Sequence, residues 1–148
     1  MAAADNPGLV LGALLGCAAT NGRNKLTIST SPALWDFGAW LEQLIAESTG
    51  KNGKAIVPVD GERLGPPEIY GSDRFFAAIT LAGDEDSERS AALRAIAIGG
   101  HPVVELTVGR REDLGAEFLR WEIATAFAGA VLRIHPFDQP DVEASKLE

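Results

Sequence analysis

One cysteine, Cys17, cannot close an internal disulfide, and with only two histidines beside it no zinc-type Cys/His spacing can be assembled. A reducing cytoplasm is the simplest home for such a chain. Basic residues are also scarce. Lys and Arg number 13 against 21 Asp and Glu, a formal charge of −8, so the chain as a whole repels phosphodiester backbones and anionic lipid surfaces. Neither nucleic acid nor membrane is an expected partner. The apolar run Leu9 to Leu15 is too short to span a bilayer, is interrupted by Gly12, and follows no basic segment of the kind an export signal needs. Gly-rich nucleotide loops, Ser/His/Asp sets, internal repeats and low-complexity tracts are all missing. What remains is 148 residues, 46% hydrophobic and 23% charged, with apolar content for one globular domain that buries its own core.

Periodicity orders that content along the chain. Asn6 is placed to cap, and Pro7 to open, an amphipathic helix through Leu9, Val10, Leu11, Leu14, Leu15 and Ala18 that ends near Asn21-Gly22. Lys25 to Ser29 alternates and is partly β-branched, the profile of a buried strand. A second helix begins at Ser31 or Pro32 and carries Leu34, Phe37, Trp40, Leu41, Leu44 and Ile45 on one stripe. It delivers Glu47 at its C-terminal end, where Ser48-Thr49-Gly50 breaks it. Lys54 to Val59 reads as a strand whose Pro58 argues for its end or for a sheet edge. Gly61 to Gly71 is a loop, and Phe75 to Leu81 is a continuous apolar run fit for a strand buried on both faces. Asp84-Glu85-Asp86-Ser87 loads acid at a helix N-terminus, Leu93, Ile96 and Ala97 give that helix its apolar face, and Gly99-Gly100 stops it. Pro102 to Val108 is a fourth strand, and Leu114 to Leu132 a long helix buried along much of its length. The alternation predicts an α/β chain, one three-layer α/β/α sandwich with a mostly parallel, Rossmann-like sheet.

Polar chemistry concentrates behind the last helix. Phe137 to Lys146 holds an amide, three carboxylates and an ammonium. If a helix starts at Pro140 with Asp138 ahead of it as cap, Gln139 and Lys146 share one face, where an amide and a flexible cation suit a polyhydroxy, anionic ligand. An ordinary capped, solvated surface helix accounts for the same residues. Ser29-Thr30-Ser31, between a strand and a helix, is a place where phosphate can bind, and capping by Ser31 explains it with less. His101 and His135 each precede a proline at a loop or helix end and are read as structural.

In Phe137, Asp138, Gln139, Val142, Glu143 and Lys146 the chain resembles, in register, the C-terminal signature of phosphoglucose isomerases, approximately Phe-Asp-Gln-x-Gly-Val-Glu-x-x-Lys. Asp141 stands where many members carry Gly. Glu47-Ser48-Thr49-Gly50-Lys51 resembles the same family's Glu-Ser-x-Gly-Lys motif. Pro140 and the run Trp121-Glu122-Ile123-Ala124-Thr125-Ala126 look closest to the isomerase part of bifunctional transaldolase/glucose-6-phosphate isomerase chains. The resemblance covers Asn6 to Lys146. It implies a single sugar isomerase (SIS) domain of flavodoxin type over residues 5 to 146, the second of a pair, excised from a longer chain and followed at 147 to 148 by a cloning remnant.

The implied activity is aldose–ketose isomerisation of glucose 6-phosphate and fructose 6-phosphate through an enediol, without metal or cofactor, in central carbohydrate metabolism. Glu47 is then the catalytic base, Lys146 assists ring opening near the ring oxygen or phosphate, and Gln139 contacts the sugar phosphate. The family's ring-opening His, from a Gly-Thr-Asn-Gly-Gln-His stretch, has no counterpart in Tyr70-Gly71-Ser72-Asp73-Arg74-Phe75. Arg74 is the candidate for that vacancy, as a substrate-binding charge that transfers no proton. The implied partners are a sugar phosphate, an N-terminal sugar isomerase domain with the main phosphate loop, a transaldolase domain, and a second copy in a homodimer. Little or no activity is expected of the chain alone. The rival is a non-catalytic, regulatory domain that binds the same ligand; the missing His favours it, and Glu47 and Lys146 together count against it.

Overall fold

The computed structural model describes residues 5 to 138 and shows helices and strands in the expected order. They are α1 (Pro7–Thr20), β1 (Lys25–Thr30), α2 (Trp35–Thr49), β2 (Val57–Asp60), β3 (Arg74–Leu81), α3 (Ser87–Ile98), β4 (Val103–Val108) and α4 (Leu114–Leu132). The Asn6 carboxamide oxygen accepts from the amides of Gly8 and Leu9, and Asp86 accepts from those of Glu88 and Arg89, so α1 and α3 start where short polar side chains can satisfy orphan donors.

The four strands pair in parallel in the order β2-β1-β3-β4. Pro58 has no N–H to give a ladder and lies in β2, an edge strand. Central β3 is buried from Phe75 to Ile79 on both faces, as its unbroken apolar run requires. Alternate side chains divide the core. Leu26, Ile28, Phe75, Ala77 and Ile79 join Leu11, Leu41, Ile45 and Trp121 of α1, α2 and α4 on one face. On the other, Phe76 packs with Tyr70 of the loop after β2 and Ile96 of α3. The glycines of α1 let it approach α4 closely: a Cβ at Gly12 would sit 2.5 Å from the carbonyl oxygen of Ala124.

α2 ends inside the Ser48-Thr49-Gly50 run as expected, with Thr49 its last residue, donating back to the Ile45 carbonyl at 2.8 Å, and Gly50 its C-cap. Three local expectations are corrected. β2 begins at Val57 and not at Lys54, because Lys51 and Lys54 pair across Asn52-Gly53, a tight turn with φ of 55° and 71°. Ser31 does not cap α2. Its hydroxyl accepts from the Leu81 amide at 3.0 Å, and Asp84 caps the helical turn ahead of α2 instead, accepting from the Ala33 amide at 2.7 Å. α4 is buried on a narrower stripe than its apolar content suggests, since Phe118, Leu119 and Phe127 are exposed, Phe118 while packing edge-on against Phe37 and Trp40 of α2.

Candidate functional site

A helix that connects parallel strands runs back against them, so the C-terminal end of α2 lies at the strands' amino ends, and the Lys54 ammonium, just ahead of β2, meets the C-terminal end of α4 at the same edge. Glu47 therefore stands in the last turn of α2 at that edge, exposed, with Gln43 Nε2 donating to its carboxylate at 3.1 Å. Thr49, fully buried, accepts from the Ile56 amide at 3.0 Å and so locks the helix end to the lead-in of β2.

Lys51 is only 5% exposed. Its ammonium donates to the carbonyl oxygens of His135 at 3.1 Å, Pro136 at 2.8 Å and Asp138. Lys54 donates to the carbonyl of Leu132 at 2.6 Å, at the end of α4 where the helix dipole favours a cation. Between these contacts Arg133 turns the chain in the left-handed region, at φ 57°, while the Ile134 amide closes back on the Gly129 carbonyl. The Glu-Ser-x-Gly-Lys motif and the start of the Phe-Asp-Gln run thus meet through Lys51. Gln139, Glu143 and Lys146 lie outside the described residues.

Arg74 opens β3 at the same edge, on the sheet face away from α2. Its guanidinium donates to Thr27 Oγ1 at 2.8 Å and Glu62 Oε2 at 2.9 Å and lies 5.5 Å from the centre of the Tyr70 ring. His101 contacts the Pro67 carbonyl at 3.1 Å between the rings of Tyr70 and Phe76. Exposed His135 pairs with Asp138 at 3.0 Å. Among the described residues no group of His, Cys, Asp or Glu is arranged to hold a metal ion, and no helix is long and apolar enough to cross a membrane.

The opposite, carboxyl end of the sheet carries a cleft of about 340 Å³ lined by Ser29, Thr30, Trp35, Asp60, Glu62 and Arg89 among others. Sequence reading reached Ser29 and Thr30 on its wall but missed Arg89, since an arginine early in a helix looks like a solvated face. Arg89 reaches across instead: Nε donates to Ser29 Oγ at 2.9 Å, Nη1 to Thr80 Oγ1 at 2.9 Å, and Nη2 to the carbonyls of Ser29 and Ile79 at 2.6 and 3.2 Å. Burial lowers its proton affinity, and the charges of Asp86, Asp84 and Glu105 oppose that. Asp60 is shifted the other way for an acid: burial raises its pKa, the Gly61 amide pulls it down, and Glu42 adds a smaller push upward.

No family model matches the sequence. The glucose-6-phosphate isomerase of Leptospira biflexa serovar Patoc is 28% identical over 82% of this chain and 35% of its own length, and that of Leptospira interrogans 29% identical over 95% and 40%. A crystal structure of a hypothetical protein from Thermus thermophilus matches with a TM-score of 0.73 over 92% of this chain and 42% of that one, at 20% identity, which supports the parallel α/β fold alone. The chain spans 35 to 40% of the length of the curated relatives it matches. Along most of its sequence it resembles one part of a glucose-6-phosphate isomerase.

Proposed function

We propose that the chain is the C-terminal sugar isomerase domain of a glucose-6-phosphate isomerase, contributing the base that interconverts glucose 6-phosphate and fructose 6-phosphate. The observation that carries this reading is the sequence likeness to such isomerases over 82 to 95% of the chain. The Lys51 contacts add support, because they tie the motif that holds Glu47 to the segment entering Phe137-Asp138.

Aldose–ketose isomerisation lifts a proton from the carbon beside a carbonyl and returns it to the neighbouring carbon through an enediol, so one carboxylate on one face suffices. Glu47 is exposed to receive substrate, and the Gln43 amide holds its carboxylate in one orientation. Gln139 and Lys146 contact the sugar phosphate in this reading. Arg74 joins them only by exchanging its Glu62 and Thr27 contacts for substrate. The length of the relatives that this chain does not span would supply the main phosphate pocket, with a transaldolase domain, a homodimer and a cytoplasmic setting as further parts of the proposal.

The test is Glu47→Gln in the complete enzyme. A general base is worth about 10²- to 10⁴-fold, so kcat for isomerisation should fall by that much. Turnover within threefold of the parent would remove Glu47 from the role. Transfer of solvent hydrogen into the bound sugar phosphate should be lost in parallel, whereas a sensor domain without chemistry would show no such transfer even in the parent.

A further inference from the structure

Two lysines flank the Asn52-Gly53 turn, and they do different things. Lys54 sits where any cation is welcome, on the last carbonyl turn of α4. Lys51 passes that position and binds the chain after the helix has ended, at three carbonyls beyond the left-handed break at Arg133. An ammonium has three protons, and here all three have backbone acceptors. A lysine buried to this degree without a carboxylate normally carries a heavy desolvation cost, and the carbonyls of residues 135, 136 and 138 are what offset it. Packing reinforces the path: Pro136 lies over Gly129 closely enough that a Cβ there would come within 3.0 Å of its ring.

We infer that Lys51 is a positioning residue: it fixes the segment leaving α4, residues 135 to 138, against the end of α2, and so holds the helix end that carries Glu47 and that segment in one arrangement. The inference rests on the reading of Glu47 as the base. It assigns Lys51 no contact with substrate. Its side chain acts through the backbone of His135 to Asp138, and removing it should free that backbone without melting the core, since Ile134 and Leu132 remain buried by their own apolar contacts.

The experiment compares Lys51→Met and Lys54→Met in the complete enzyme. Positioning losses typically run to about 10²-fold, so kcat/KM for isomerisation should drop 10- to 100-fold in Lys51→Met and stay within threefold in Lys54→Met. Amide hydrogen exchange over residues 135 to 138 should rise at least tenfold in the first variant only, with thermal midpoints of the two within a few degrees of each other. Unchanged exchange over that segment, or unchanged kcat/KM beside faster exchange, overturns the inference. If Lys51→Met does not fold, Lys51→Gln, with two donors in place of three, takes its place under the same criteria. Should the parent enzyme fail to isomerise glucose 6-phosphate at all, the proposed function falls, and the exchange contrast still decides whether Lys51 holds the tail.

Discussion

Two charged side chains are buried among the described residues, Lys51 and Glu117, and they stand at opposite ends of the sheet. Lys51, at the amino end, is matched by three carbonyls from a segment more than eighty residues away. Glu117, near the start of α4 at the carboxyl end, has Arg120 at 3.0 Å on one oxygen, and its other oxygen has no hydrogen-bond partner among the described residues. The same contrast runs through their surroundings. At the carboxyl end Arg89 is committed to Ser29, Thr80 and Ile79, and Asp84 and Asp86 are committed to helix starts. At the amino end the Glu47 carboxylate faces solvent with one amide donor. Open α/β sheets usually bind ligands outside the carboxyl ends of their strands. Here that end has a cleft in which Arg89 is tied to Ser29, and Glu47, the proposed base, lies elsewhere. A cleft alone does not locate the chemistry.

The largest effect expected from this contrast is kinetic. Trp35→Ala opens the mouth of the carboxyl-end cleft, and Trp35 is 67% exposed, so the substitution should leave the fold intact and isomerase kcat/KM within threefold. Against the 10²- to 10⁴-fold loss expected of Glu47→Gln, that difference is decisive. A comparable loss in Trp35→Ala would move the site to the carboxyl end. Next in size is Arg89→Met, which strips the hydrogen bonds that Ser29 and Thr80 receive from the guanidinium and should cost about 2 kcal/mol of stability, measured by urea unfolding. A cost under about 0.5 kcal/mol would mean that water replaces the arginine freely and that the cleft is open to ligands after all.

How much of this was legible follows the range of each interaction. Asn6 caps its helix within three residues, the acid run from Asp84 to Ser87 marks the start of α3, and Pro58 lacks a donor, so sequence alone places the first cap, finds the second helix start and narrows Pro58 to a strand end or a sheet edge. Ser31 shows the limit. A serine before a helix reads as a cap, but the β3 amide of Leu81, fifty residues on, takes its hydroxyl, and Asp84 takes over the capping. The Asn52-Gly53 dipeptide is a strong turn signal that could have shortened β2 in advance. Lys51 and Arg89 carried no local signal at all, because a lysine in a turn and an arginine in a helix look alike whether they meet water or a distant carbonyl. Family motifs bridged part of that gap by pairing Glu47 to Lys51 with the run from Phe137.

The smallest effect sharpens the comparison at its carboxyl end. Burial raises the pKa of the Glu117 carboxyl, and the positive charge of Arg120 only partly opposes it. With the folded value above the unfolded one, the folded state holds the extra proton between the two, so stability falls as pH rises through the ordinary carboxylate range toward the folded value and stays lower above it. Glu117→Gln removes that proton linkage. It should remove that fall and raise stability at neutral pH by about 1 kcal/mol, a common size for a single-site change, with little gain near pH 4. Lys51→Gln should move the other way at neutral pH, because a neutral amide has two donors for three buried carbonyls and makes no charge-assisted hydrogen bond to any of them. If Glu117→Gln destabilised the domain at neutral pH as much as Lys51→Gln, the ion pair with Arg120 would outweigh burial, and the two ends would be matched equally well.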